Sequence, residues 1–335
     1  MKSYMKKSKP KIILTTGDPN GIGPEIILKI FSDKKFLSGY DLYISGHKKI
    51  FDFYSELYGI KNIPSDKIID FELPFLFKIT PGKINMKSGK ISGDSVLASA
   101  KLCIEGKFDA MVTLPLSKEA LNLGGYNFPG HTEFLRKITG SDNTVMILSS
   151  ETFSVALMTG HIPVKNISKE LYKKFKSGDL FSSVITINNS LVRDFGIKSP
   201  TIGILSLNPH AGDGGLLGKE EDEILMPLIE QMNDTGFKLR GPYASDAYFA
   251  GGIYKKFNIT AALYHDQGLI PFKMMSFGKG VNFTAGLNII RTSPDHGTAF
   301  DIAGYGKANE ESTKYAIKKA ALFAKVKSDH LFTRN

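Results

Sequence analysis

Short apolar runs alternate with amphipathic segments along most of the chain. Runs rich in β-branched and aromatic residues predict strands at 11–16, 41–45, 109–116, 201–207 and 259–264. Apolar residues at helical spacing predict helices at 24–31, 96–104, 169–195, 218–231 and 310–327. Asp94 is placed to cap the second of these helices, whereas residues 51–90 read as irregular. Strands that alternate with helices are typical of an α/β protein.

Two further apolar runs, 144–150 and 152–158, lie so close together that a hairpin is predicted. A hairpin pairs its strands antiparallel, whereas the connections through helices give parallel pairs. The middle of the chain is therefore expected to contain a mixed sheet.

Composition narrows the class of protein. A chain of 335 residues with 42% hydrophobic content can build two lobes, or one large one, with a sizeable core. Cys103 is the only cysteine, which excludes an intramolecular disulfide and favours a reducing compartment. No apolar run approaches the ~20 residues of a membrane span, and the basic amino terminus lacks the apolar core of a secretory signal. A cytoplasmic protein with no membrane partner is expected.

The net charge of +10 is compatible with nucleic-acid binding, but the sequence does not support that function. The lysines are spread along the chain, and no helix-turn-helix, zinc-finger or RNP pattern is present. No nucleic-acid partner is expected. A positive surface that attracts phosphorylated anions is the more modest interpretation.

Three histidines follow predicted strands directly. His161 stands in MTGHIP, His210 in LNPHAGDGG and His265 in YHDQG, which reads as a polar turn. Ligands of α/β sheets bind at the carboxyl ends of strands, and neutral imidazole is a common metal ligand. Three protein ligands with an open position are typical of a catalytic metal. Buried histidines satisfied by the backbone are the alternative.

The other candidate residues each allow more than one interpretation. The turn GDPNGIGPE at 17–25 could hold a phosphate on its backbone amides, or could be a tight turn beside a site; Ile26 leaves the dinucleotide fingerprint incomplete. His131 is predicted near a helix amino terminus, as a cap, a surface residue or a functional residue. Asp246 is likewise a helix cap or a functional carboxylate.

Six sequence blocks, taken together and in this order, resemble one family. They are DPNGIGPE, LPLSKEAL, FPGHTEFL, NPHAGDGG, YHDQGLIPFK and IRTSPDHGTAFDIAG, and they extend over nearly the whole chain. The family is 4-hydroxythreonine-4-phosphate dehydrogenase of the vitamin B6 pathway. The block HGTAFDIAG is also similar to the isocitrate and isopropylmalate dehydrogenases, which bind NAD(P) without the Rossmann fingerprint.

The resemblance implies an architecture. It is a two-lobed α/β fold like that of isocitrate and isopropylmalate dehydrogenase, a three-layer sandwich with a mixed sheet. Residues 1–125 and 275–335 would form a cofactor-binding lobe with both termini, and residues 126–274 a lobe for dimerisation, metal and substrate. The protein would be a homodimer with each site at the interface.

The resemblance also implies roles for individual residues. His161 and His210 would bind a divalent metal, with His265 contributed by the other subunit. The residues that would contact the substrate are His131, Thr132, Lys273, Asn282 and Arg291. Asp246 and Lys273 would be the catalytic residues. His296 and Gly297 would flank NAD or NADP. Three imidazoles favour borderline metals such as zinc, cobalt or nickel over magnesium by ligand softness. One divalent metal per site, zinc, cobalt or magnesium, is expected.

The implied reaction is oxidation of 4-phosphohydroxy-L-threonine at its secondary alcohol. The product, 2-amino-3-oxo-4-(phosphooxy)butanoate, would decarboxylate to 3-amino-2-oxopropyl phosphate. Alternatives are a paralogous dehydrogenase of phosphothreonate, phosphoerythronate or an aromatic-pathway diol, a phosphate acyltransferase of related fold, and a metal-dependent lyase without nicotinamide. Ser245 and Asn288 depart from the family pattern, which leaves a related substrate open.

Overall fold

The computed structural model describes residues 9–71, 76–276 and 278–332, with side chains as far as Asp329. Its strands are β1 (Lys11–Thr15), β2 (Asp41–Ser45), β3 (Ile68–Ile69), β4 (Ala110–Val112), β5 (Val145–Ser149), β6 (Ser154–Leu157), β7 (Ile202–Leu205), β8 (Leu239–Tyr243), β9 (Ile259–Ala262), β10 (Val281–Ala285) and β11 (Arg291–Pro294). Its helices are α1 (Gly23–Ser32), α2 (Lys34–Leu37), α3 (Lys48–Tyr58), α4 (Met86–Ile104), α5 (Lys118–Leu123), α6 (His131–Thr139), α7 (Ile167–Lys176), α8 (Asp179–Arg193), α9 (Met226–Asp234), α10 (Ser245–Ala250), α11 (His265–Ser276) and α12 (Glu311–Phe332).

The chain divides into two compact units. The first unit comprises the residues up to Gly140 together with Leu287–Ser328, and the second comprises Ser141–Gly286 with the residues from Asp329. The roles that the sequence predicts for two lobes, and their boundaries, stay predictions. None of the helices in the described residues combines the length and the hydrophobicity that a bilayer crossing requires.

The first unit contains a parallel sheet with the strand order β3-β2-β1-β4-β11. Ile12, Ile13 and Leu14 follow one another in β1 and are all fully buried. Successive side chains of a strand point to opposite faces, so both faces of this sheet are covered.

The second unit contains a mixed sheet with the strand order β10-β5-β6-β9-β7-β8. β5 pairs antiparallel with both β10 and β6, so the predicted hairpin is confirmed. From β6 onward all pairs are parallel. The predicted fold class, α/β with a mixed sheet in the middle of the chain, is confirmed. The carboxyl ends of β6, β9, β7 and β8 consequently lie at one edge.

The predicted helix at 96–104 begins ten residues earlier than expected. α4 starts at Met86, and its cap is Asn85, whose side chain accepts a hydrogen bond from the Ser88 amide at 2.8 Å. Asp94, predicted as the cap, lies inside the helix and bonds to Tyr126. Most of α3 and the first turn of α4 fall in the segment 51–90, which the sequence presents as irregular.

Two other predictions are also corrected. The helical region 169–195 is two helices, because Gly178 has φ +81° and cannot continue a right-handed helix. The polar turn predicted at His265 is instead the first turn of α11, which tolerates Pro271 in its interior. Gln267 helps to start this helix, because its Oε1 accepts the amide of Leu263 at 2.7 Å.

Candidate active site

The sheet order of the second unit decides which site residues become neighbours. His161 follows β6, His265 follows β9, His210 follows β7 and Asp246 follows β8. The four side chains therefore stand along one edge of the sheet in that order. The rings of His161 and His265 are 5.1 Å apart between centroids. The family resemblance implies instead that His161 and His210 bind the metal from one subunit, and β9 lies between their strands.

His265 is oriented by a neighbouring carboxylate. Its Nδ1 lies 2.7 Å from Oδ1 of Asp266, which can only accept a hydrogen bond when it is ionised. This contact fixes the tautomer with the proton on Nδ1 and leaves the Nε2 lone pair available. A carboxylate behind the imidazole is the usual outer partner of a metal-binding histidine.

His210 lies in a segment of left-handed backbone. Residues 210–214 have φ values of 50°, 53°, 82°, 45° and 62°, and three of them, His210, Ala211 and Asp213, carry side chains. Each such residue costs on the order of 1–3 kcal/mol, and strained backbone of this kind clusters at functional sites. Something in the surrounding structure must hold it in place.

Glu221 supplies that support. Its buried carboxylate accepts the backbone amides of Leu207 and Asn208, both at 2.8 Å, and the side-chain amide of Asn208 at 2.8 Å. These contacts fix the residues immediately before the left-handed segment. The sequence shows an acidic helix start here but gives no sign that one of its carboxylates is buried.

The donor set fits a divalent cation in part. Two imidazoles with closely spaced rings, one with its tautomer fixed, suit borderline metals such as zinc or cobalt. In the described part of this single chain, however, no three histidine, cysteine or carboxylate side chains come together closely enough to hold a metal.

The first unit contains a buried cation at the start of β11. Arg291 is 3% exposed, and its Nε and Nη2 donate to Thr113 Oγ1 at 3.0 and 2.7 Å. Burial lowers the pKa of Arg291 to about 10, while Glu133 opposes this shift. The guanidinium stays charged at neutral pH, and a guanidinium is the type of group that binds a carboxylate or a phosphate.

His131 is the first residue of α6 and is half-buried beside the same cation. Burial, then the charges of Arg291 and Lys118, lower its pKa to about 3, while a hydrogen bond with the Leu114 backbone acts in the other direction. The imidazole is therefore neutral. The helix cap is Gly130, so His131 is not a cap. Lys118 is exposed and belongs to the block LPLSKEAL, to which the sequence reading gave no role.

Three of the residues singled out from the sequence each keep one buried polar atom without a hydrogen-bond partner in the described structure. They are Nε2 of His131, Oδ1 of Asn282 and Nε2 of His296. The other ring nitrogen of His296 donates to the Gly297 carbonyl at 3.1 Å, which leaves Nε2 as the acceptor of the neutral ring. Buried polar atoms are normally paired, and these acceptors fit hydroxyl or amide donors of a bound molecule.

The remaining candidates are placed individually. Thr132 is the second residue of α6, Lys273 is exposed on α11, and Gly297 is exposed. Asp246 is the second residue of α10 and is exposed; Ala244 occupies the capping position, so the interpretation of Asp246 as a cap is wrong.

The glycine-rich turn uses its own amides. The amides of Asn20 and Gly21 donate to Asp18, and that of Ile22 donates to the Thr298 carbonyl, at 2.9–3.1 Å. A Cβ on Gly23 would lie 2.6 Å from the Thr16 carbonyl oxygen. These contacts favour the tight-turn interpretation over a phosphate cradle, because three amides are already bound.

The helix that follows this turn holds the segment after His296. Glu25 accepts the Ala308 amide at 2.7 Å, and Lys29 donates to the carbonyls of Gly306 and Ala308 at 2.9 and 2.6 Å. The sequence shows Glu25 only as an acidic residue at the start of this helix, and it gives no sign of Lys29. The block HGTAFDIAG is thereby anchored at its carboxyl end.

Comparisons with known proteins identify the family of the chain. Residues 40–320 match the family model described as pyridoxal phosphate biosynthetic protein PdxA. The chain is similar to 4-hydroxythreonine-4-phosphate dehydrogenases of Bacteroides thetaiotaomicron, with 40% identity over 93% of this chain and 88% of the relative, and of Prosthecochloris aestuarii, with 39% identity over 91% and 95%.

Solved structures give the same result. The crystal structure of 4-hydroxythreonine-4-phosphate dehydrogenase from Klebsiella pneumoniae superposes with a TM-score of 0.83 and 35% identity, covering 95% of this chain and 100% of that one. A terephthalate 1,2-cis-dihydrodiol dehydrogenase from Burkholderia xenovorans, at 24% identity and a TM-score of 0.64, shares the fold. On this match over most of its length, the chain belongs to the PdxA family.

Proposed function

We propose that this chain catalyses the NAD(P)-dependent oxidation of 4-phosphohydroxy-L-threonine at its secondary alcohol, in pyridoxal 5′-phosphate biosynthesis. The observation that carries the proposal is 40% identity over 93% of the chain with a relative that bears this activity in its name. The fold alone would not carry it, since one fold hosts many functions. The relatives do not favour a paralogous substrate or a phosphate acyltransferase.

Anionic groups of the substrate are held by the chain's own cations and polar side chains. Arg291 offers a buried guanidinium, and Lys273 adds an exposed ammonium. His131 and Asn282 offer buried acceptors to hydroxyl or ammonium groups, and Thr132 contributes a hydroxyl at the start of α6. These residues bind and orient the substrate.

A divalent metal, bound through His161, His210 and His265, is part of the proposal, and so is a nicotinamide cofactor beside His296 and Gly297. When bound, the metal would supply a Lewis acid that lowers the pKa of the alcohol, and the nicotinamide would supply the hydride acceptor. Asp266 orients His265, and Glu221 supports the backbone before His210. Asp246, exposed at the same sheet edge, is suited to take up or return a proton.

The second copy of the chain is proposed to complete the site. One chain brings fewer than three metal-type ligands together in its described residues. α11, which begins at His265, also exposes Ile270 and Met274, four residues apart, at 58% and 70%. An apolar stripe beside an incomplete metal site favours a homodimer with the site at its interface. A cytoplasmic location is proposed with the biosynthetic role.

The direct test is turnover. The purified protein should reduce NAD or NADP with 4-phosphohydroxy-L-threonine in the presence of zinc, cobalt or magnesium, followed by the absorbance of the reduced nicotinamide. Phosphothreonate and phosphoerythronate serve as competing substrates. Faster turnover of either competitor, or no reduction with any combination, would overturn the proposed substrate.

Mixed dimers test how the metal site is shared. We expect His161→Ala, His210→Ala and His265→Ala each to abolish turnover, whereas His47→Ala, which changes only the cap of α3, leaves it intact. If one ligand comes from the second subunit, two of the three pairwise mixtures regain activity, because one site of each mixed dimer is intact. Activity in none of the mixtures would contradict a shared site.

A further inference from the structure

Gln267 connects three of the strand ends that carry the candidate site residues. It is 8% exposed and is the third residue of α11. Its Oε1 accepts the amide of Leu263, and its Nε2 donates to the carbonyl of Ser206 at 2.6 Å and to Oγ of Ser245 at 2.9 Å. One side chain thus bonds to the segments that follow β9, β7 and β8.

Each of these contacts lies close to a site residue in the sequence. Leu263 stands two residues before His265, Ser206 four residues before His210, and Ser245 next to Asp246. We propose that Gln267 is a positioning residue that sets the relative placement of the metal-binding histidines and of Asp246. This inference rests on the metal site of the proposed function.

The chemistry of an amide explains why glutamine occupies this position. The Leu263 amide requires an acceptor, and the Ser206 carbonyl requires a donor. Glutamine supplies both in one planar group, and its orientation is fixed, because a flipped amide would place donor against donor and acceptor against acceptor. A glutamate would retain the acceptor and lose the donor, and a methionine of similar size would supply neither.

The fourth strand end is connected through the same element. Oγ1 of Thr159 donates to the Leu263 carbonyl at 2.6 Å, and the Met158 amide donates to the Ala262 carbonyl at 2.8 Å. Thr159 stands two residues before His161. The backbone around Leu263 therefore bonds to the His161 segment on one side and, through Gln267, to the His210 segment on the other.

The test compares metal affinity in Gln267→Met with that in a matched control. Asn233 is also an amide that bridges backbone groups of the second unit, since it bonds to the amide and the carbonyl of Leu239 at 2.8 and 3.0 Å. Leu239 begins β8, so it lies at the opposite edge of the parallel strands. Asn233→Leu therefore removes a similar pair of side-chain hydrogen bonds to the backbone, at a position remote from the site.

The readout is a cobalt titration of the dimer followed by its visible absorption spectrum, with cofactor affinity measured in parallel. We expect Gln267→Met to raise the Kd for cobalt about tenfold, as loss of an outer partner of metal ligands typically does. Asn233→Leu should leave the Kd unchanged, and neither variant should alter cofactor affinity. The midpoint temperature of thermal unfolding is expected to fall in both variants.

The outcomes separate the inference from the proposed function. A wild-type protein that binds no cobalt would remove the metal site, and the inference with it. Wild-type binding with the same Kd in Gln267→Met, or equal weakening in both variants, would overturn the inference alone. If Gln267→Met does not fold, Gln267→Glu replaces it, and wild-type cobalt affinity in that variant contradicts the positioning role.

Discussion

Glu221 shows how one buried carboxylate can fix a strained segment of backbone. It is 2% exposed, and its two oxygens accept hydrogen bonds from the backbone and the side chain of the residues just before His210. Hydrogen bonds to an ionised group are stronger than neutral ones. The left-handed run that begins at His210 therefore starts from a fixed point.

Glu221→Gln is expected to lower the free energy of unfolding by about 1–3 kcal/mol, the cost of leaving buried donors poorly paired. The substitution replaces one carboxylate oxygen by an NH2 donor, which then faces either the amides of Leu207 and Asn208 or the side-chain amide of Asn208. Glu223→Gln is the control, because Glu223 is exposed and accepts from the hydroxyl of Tyr172. Denaturant unfolding measures both, and equal losses would contradict a special role for Glu221.

His131 gives a prediction about pH. Its pKa of about 3 in the folded protein lies below the ordinary value of 6.5. The folded state keeps the ring neutral while the unfolded chain binds a proton, so stability present above pH 6.5 is lost as the pH falls towards 3. At pH 5 the loss from this group amounts to about 2 kcal/mol.

The measurement is an NMR titration of the His131 ring, assigned by its absence in His131→Gln. The resonance should keep the chemical shift of a neutral imidazole from pH 8 to pH 5. His131→Gln should also lose less stability than the wild-type protein over this interval. A ring that titrates at its ordinary pKa would contradict the burial and charge argument.

At the scale of elements, α4 shows what the sequence conceals. Its first half, MKSGKISGDS, is poor in strong helix formers, and the sequence alone predicts only the second half. Gly89 and Gly93 bring the helix close to its neighbours: a Cβ on Gly93 would lie 2.1 Å from the ring of Tyr126. Tertiary packing, which no local pattern reveals, decides that this segment is helical.

Gly93→Ala is therefore expected to destabilise the protein. Overpacking costs typically 1–3 kcal/mol, which exceeds the gain of up to ~1 kcal/mol in helix propensity. In a Tyr126→Ala background the clash is removed, and the same substitution should become neutral or stabilising. Thermal unfolding of the four proteins of this cycle measures the coupling, and an additive cycle would contradict the clash.

The strand order of the second unit is, like the first half of α4, a feature that the sequence alone does not predict. Apolar periodicity predicted most strands and the hairpin, and the positions of His161, His210 and His265 after strands follow from the pattern. The insertion of β9 between β6 and β7 does not, because it depends on long-range pairing. That insertion makes His265, rather than His210, the neighbour of His161. It also brings Gln267 within reach of three segments.

For the whole molecule, the net charge of +10 predicts that the KM for an anionic substrate depends on the salt concentration. If the substrate is a phosphorylated anion, long-range attraction assists its approach, and added salt screens this attraction within about 10 Å at 0.1 M. Raising the salt concentration from low to physiological should increase KM severalfold and leave kcat nearly unchanged. A neutral substrate analogue is the control. An unchanged KM for the phosphorylated substrate would show that the surface charge plays no part in its capture.

The antiparallel pairing of Val145 with Ala285 places the two ends of the segment Ser141–Gly286, the main part of the second unit, side by side. The segment between them, here called the cassette, is thus inserted into the sequence of the first unit through two adjacent connections. A linker of a few residues could join these connections and close the cassette into a ring, with new termini opened at an exposed loop such as Ser177–Gly178. Chimaeras that exchange this cassette between relatives would need only two splice points, a few ångströms apart.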